Sequence, residues 1–107
     1  MTVFYVPSHK LDDPRFGPQQ TVRNDIHDFL MQHYRAYTHT PSTVKGYWMN
    51  EAGILYHDVM ERYEVSFDTE AEFEAVVDFL ARLCLRLEEE SIYLTRGDRS
   101  YLVRAAA

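Results

Sequence analysis

The run from Ile54 to Phe67 constrains this chain more than any other segment. Fourteen residues pass without a glycine or proline, and they read as one strand. Alternation sets Leu55, His57, Val59, Glu61, Tyr63, Val65 and Phe67 on one side of it. Ile54, Tyr56, Asp58, Met60, Arg62, Glu64 and Ser66 fall on the other. Strands usually run to about 5–6 residues. One this long either carries a bulge or pairs in part with another subunit.

The flanking segments supply the rest of a sheet and two helices. Val3 to Val6 reads as an N-terminal strand stopped by Pro7. Residues 8–20 form an irregular loop broken by Pro14, Gly17 and Pro18. From Gln20 to Tyr37, the residues Val22, Ile26, Phe29, Leu30, Tyr34 and Tyr37 recur at spacings of three and four, which predicts an amphipathic helix. Thr38 to Ser42, with Pro41, ends it. Val44 to Asn50 is a second strand, joined to the long one by a turn at Glu51-Ala52-Gly53. Thr69-Glu70-Ala71-Glu72 has the form of a capping box. Behind it Phe73, Val76, Val77, Leu80, Leu83, Cys84 and Leu87 make an apolar helical stripe. Phe79 and Leu85 lie off that stripe and mark a second contact surface. Ile92 to Thr95 and Ser100 to Val103 form a final hairpin about Arg96-Gly97-Asp98-Arg99, and residues 104–107 are a frayed tail.

The order is β-α-β-β-α-β with an extra C-terminal strand. It resembles the ferredoxin-like α+β sandwich, in which two helices cover one face of an antiparallel sheet. One domain over residues 1–107 uses the whole chain. Such a fold names no activity, because many unrelated functions share it.

Charge and composition remove several function classes. The net charge of −6 and pI near 5.2 argue against general nucleic-acid binding, which needs a basic face. The charge is uneven, with eleven acids against three bases in residues 58–90. No apolar stretch approaches the roughly 18 residues of a membrane helix, and Met1 to His9 lacks the features of a leader. A lone cysteine, Cys84, requires no oxidising compartment and reads as a core residue. A cytoplasmic protein is expected.

His57 and Glu61 interrupt an otherwise apolar strand face. A buried carboxylate there would have a raised pKa and act as a base, with His57 in proton transfer and Tyr63 orienting a substrate. The five histidines, His9, His27, His33, His39 and His57, show no metal-ligand spacing, and no phosphate loop or dinucleotide fingerprint occurs, so neither metal nor cofactor is expected. Phe4, Tyr47, Met49, Tyr56, Met60 and Tyr93 are assigned to the opposite sheet face, as a homodimer interface. Arg96 and Arg99, with Arg104, make the last hairpin locally basic and suited to an anion or an acidic partner. The leading expectation is a homodimeric binding or regulatory module with a protein partner or a small ligand. The alternatives are a small cofactor-independent enzyme using His57 and Glu61, or an acidic inhibitor that mimics nucleic acid.

Overall fold

The computed structural model describes residues 1–106, and for Ser42 and Thr43 the backbone alone. Five strands and two helices follow in the order β1 (Thr2–Pro7), α1 (Val22–Tyr34), β2 (Thr38–Met49), β3 (Leu55–Val65), α2 (Glu70–Arg86), β4 (Ser91–Arg96) and β5 (Arg99–Arg104). The strands make one antiparallel sheet in the order β2-β3-β1-β4-β5. This is the expected α+β sandwich, with the additional strand β5 on one edge.

Pairing registers define the covered face. Phe4 lies opposite Tyr63 on β3 and Leu94 on β4, and Ile92 lies opposite Val103. These side chains meet Val22, Ile26 and Leu30 of α1, and Phe73, Val76, Leu80 and Leu83 of α2, in one buried cluster. The stripe of α2 therefore packs as its periodicity predicts. Cys84 lies fully buried within it. Of the two residues off the stripe, Phe79 stacks on Phe29 of α1 at 4.0 Å between ring centroids, whereas Leu85 stays exposed.

Helix ends follow local chemistry. Thr69 caps α2, its Oγ1 accepting from the Glu72 amide while Glu72 receives the Thr69 amide. The C-terminal end closes with Glu88 N–H donating to Leu85 O and Glu89 N–H to Cys84 O. Glu88 has φ +56°, a left-handed conformation where glycine is usual. Thr21 caps α1 with its Oγ1 accepting from the Asn24 amide, and the helix ends at Tyr34, three residues before the expected boundary at Tyr37, with Arg35 following at φ +66°.

Three expectations are corrected. Residues 38–42 extend β2 rather than only ending the helix. Proline is tolerated there because β2 is an edge strand and its register shifts between Thr40 and Val44. That irregularity lies on β2 and not on β3, which spans 11 residues. The segment 104–106 is not frayed: Arg104 ends β5, Ala105 packs on the core, and Ala106 N–H donates to Ala81 O. Ala107 lies outside the described residues. The 8–20 loop opens with a 3-10 turn at Ser8–Lys10 and places Leu11 and Phe16 in the core. Arg86 of α2 holds its far end, donating to Phe16 O and Gln20 O and pairing with Asp25.

The capping box gives a direct check. Thr69→Ala removes one acceptor at the α2 terminus and should lower the unfolding free energy by about 1 kcal/mol. Urea denaturation should show a lower midpoint at an unchanged slope.

Candidate functional site

Two polar or open regions stand out, one on each face of the sheet. The first is buried. Alternation along β3 turns Glu61 toward the helices, where it is only 1% exposed. Arg23, in the first turn of α1, donates to both carboxylate oxygens, at 2.6 and 3.0 Å. Ser8 Oγ donates at 2.7 Å, and His39 Nε2 at 2.5 Å. Because the carboxylate can only accept, Nε2 of His39 carries the proton. Arg23 also pairs with Asp12 at 3.0 Å. The His39 ring stacks on Tyr63, with centroids 4.7 Å apart.

These contacts decide the protonation of Glu61. Burial alone pushes its pKa up. The hydrogen bonds from Arg23, Ser8 and His39, with the Arg23 charge, outweigh burial and lower it from 4.5 to about 2. The expected raised pKa is thus corrected to a depressed one, and Glu61 is a fixed anion rather than a base at neutral pH. His57 takes no part, since it lies exposed far along β3, with its ring 5.8 Å from that of Tyr47. Tyr63 is buried between Phe4 and His39, and its hydroxyl has no hydrogen-bond partner among the described residues. Burial raises its pKa, so it stays a neutral phenol.

The second region lies on the sheet face that no helix covers. A cleft of about 750 Å³ opens there. Its floor includes Tyr5, Pro7 and Met60. One wall is the β2-β3 hairpin, with Val44, Trp48 and Asp58. The other is the α2-β4 connection, Glu88 to Glu90, with Tyr93. Tyr5 and Tyr93 have ring centroids 5.9 Å apart, and Trp48 stacks on Tyr56 at 4.5 Å. Glu89 is tied to Lys10 at 3.3 Å, and Lys10 also caps α2 through Leu87 O. Glu90 faces Arg104 at 3.7 Å. Among the described residues, Asp58 and Glu88 have no ion-pair partner within 4 Å. Aromatic walls with unpaired carboxylates at the edge suit a flat ring system bearing a positive charge.

The expected interface set is divided by the register. Tyr47 pairs with His57 and Met49 with Leu55, so both lie on the helix side of the hairpin. Tyr56, Met60 and Tyr93 lie on the open side, and Phe4 is in the core. Arg96 is engaged by Glu70 at 2.8 Å and sits 4.4 Å over the Phe73 ring, while Arg99 remains exposed. Both border a smaller depression with Met1, Asp98 and Tyr101. Several carboxylates of residues 58–90 are likewise paired, including Glu61, Glu64, Glu70, Glu89 and Glu90. Among the described residues, no group of three or more His, Cys, Asp or Glu is placed to hold a metal ion, and no helix is long and apolar enough to cross a membrane.

His39, Arg23, Ser8 and the Glu88–Glu90 wall escaped the sequence reading as site residues. These partners of Glu61 come from 22, 38 and 53 positions away, with no local spacing to mark His39, Arg23 and Ser8.

The architecture is that of a small α+β protein with an open sheet face. No known protein family matches the sequence, and no curated protein matches it. Among solved structures, the chain is similar to a phage SAM lyase in complex with S-methyl-5′-thioadenosine. The TM-score is 0.56 at 15% identity, covering 97% of this chain and 88% of that one. At that identity the likeness establishes the shared fold.

Glu61 can be tested through its linkage to pH. A carboxyl whose folded pKa is depressed stabilises the fold above its unfolded pKa, and that contribution is lost as pH falls through the folded value. Glu61→Gln should destabilise the protein at pH 7 by roughly 2–3 kcal/mol, less than for a sealed ion pair because Arg23 keeps Asp12. The gap between the two proteins should narrow as pH falls from 4.5 toward 2, followed by urea unfolding at stepped pH.

Proposed function

We propose that the protein is a small enzyme that binds S-adenosyl-L-methionine in the open-face cleft and cleaves it to S-methyl-5′-thioadenosine. The observation that carries this reading is the cleft itself, with aromatic rings for an adenine and carboxylates for a sulfonium. The ligand held by the similar phage SAM lyase supports the choice of ligand class. S-methyl-5′-thioadenosine is S-adenosyl-L-methionine without its four-carbon amino acid arm. The bond broken therefore joins sulfur to that arm, and its electron pair returns to sulfur and removes the positive charge. Ring closure of the arm on its own carboxylate balances the step: a carbon–oxygen bond forms as the carbon–sulfur bond breaks. No water is consumed and no proton moves.

Such a step destroys two opposite charges, so it is favoured where water is excluded. Trp48, Tyr5 and Tyr93 supply a low-dielectric wall, and the sulfonium lies against their electron-rich faces. Asp58 and Glu88 attract the cation at the mouth and have less hold on the neutral thioether product. This assigns the chemistry to the open cleft, while Glu61 keeps β3, α1 and β2 in register behind it. The proton-transfer role expected for His57 and Glu61 is not needed.

Incubation with S-adenosyl-L-methionine, followed by chromatography, should yield S-methyl-5′-thioadenosine and the lactone in equal amounts. Trp48→Ala should lower kcat/KM by about 10-fold or more, from the loss of roughly 1.5–2 kcal/mol of base stacking. An unchanged substrate pool at high enzyme concentration overturns the reading.

The exposed hairpin also supports the expected self-association, because Tyr47, Met49 and Leu55 leave an apolar patch on its helix side. Light scattering at micromolar concentration should give at least twice the 12.6 kDa chain mass; a monomer mass removes this expectation.

A further inference from the structure

We infer that the outer part of the β2-β3 hairpin, residues 44–59, is a jaw that closes on the ligand in the cleft and carries Trp48 onto it. The inference rests on the ligand reading just given. Its grounds are geometric. Strand β1 ends at Pro7, opposite Met60. Beyond that point β2 and β3 continue alone as a two-stranded ribbon, from Val44–Met60 to Met49–Leu55. A two-stranded ribbon is marginal in water without a third strand or a helix against it. Within one chain no described residue covers this one, since Tyr47, Met49 and Leu55 are more than 60% exposed on one face and Trp48 is 51% exposed on the other. At its base the ladder is interrupted by the register shift between Thr40 and Val44, on the free edge of the sheet.

The opposite wall is held. Glu88 and Glu89 are hydrogen-bonded back to the last turn of α2, Lys10 ties Glu89 to the 8–10 turn, and Ile92 is buried in the core beside them. The cleft therefore has one fixed wall and one wall of low local stability, hinged at an irregularity. Segments that close over ligands come from this low-stability end of a structure. A bound ring gives the ribbon what it lacks, an apolar surface to pack on. Trp48 is the side chain placed to do so, because it lies on the open face and lines the cleft.

Trp48 is the sole tryptophan, so its emission reports this wall alone. S-methyl-5′-thioadenosine is the probe, because as the product it excludes a phase due to turnover. Stopped-flow mixing should give two phases. The first rate rises linearly with probe concentration, and the second levels off, as closure after binding requires. A single phase linear over the whole range overturns the jaw while leaving binding intact. Calorimetry without heat, together with unchanged emission, overturns both the jaw and the ligand reading. Hydrogen exchange gives a second measure. Amides in 46–49 and 55–58 should exchange at least 10-fold faster than those of β1, and slow by about 10-fold with probe. Amides as protected as β1 before the probe is added describe a rigid wall and refute the inference.

Discussion

The Glu61 carboxylate fixes the arrangement on which the rest depends. It accepts from Arg23 on α1, His39 on β2 and Ser8 in the turn after β1, and is itself part of β3. Four segments distant in sequence are tied by one anion. Isolated, that charge would cost several kcal/mol to bury. With the donors from Arg23, Ser8 and His39 it is held ionised, and its pKa falls rather than rises. The tie lies beside the point where β1 ends, so β2 and β3 leave the body of the protein in a defined direction.

The two sheet faces are correspondingly specialised. Both helices cover one, and its Phe4, Tyr63, Leu94 and Val103 make a conventional core. The other has no helix, and its cleft mixes aromatic, aliphatic and acidic residues. An extended hairpin on one side and the end of α2 on the other give that face depth. The acidic residues at the end of α2 stand where the helix dipole is least favourable to them, and Glu88 adopts a conformation that glycine takes more readily. Lys10 offsets part of this by donating to the last carbonyl and pairing with Glu89.

Much of the fold was legible because local rules and packing agree. The Thr69–Glu72 capping box, the α2 stripe and the strict alternation of β3 each state one answer. Where the reading failed, a local rule gave way to position in the sheet. Pro41 signalled a break, but an edge strand has no neighbour there to need its missing N–H. Tyr47 and Tyr56 look alike in composition, yet the register places them on opposite faces. The candidate site was harder still. Glu61 drew notice as a carboxylate on an apolar face, but the sign of its pKa shift depends on Arg23, Ser8 and His39, none of them near it in sequence. The cleft joins residues 44–60 to 88–93, and only the strand order brings them together.

The distribution of lysine has a practical consequence. The chain has only two, Lys10 and Lys45. Lys10 is engaged with Leu87 O and Glu89, whereas Lys45, opposite Val59, is exposed on the helix side of the β2-β3 hairpin. Reagents that couple through side-chain amines will therefore concentrate on the hairpin. A sensor surface or dye attached that way would load the strand pair whose movement is to be measured. Attachment through the exposed Met1 end, beside the β4-β5 turn, leaves it free.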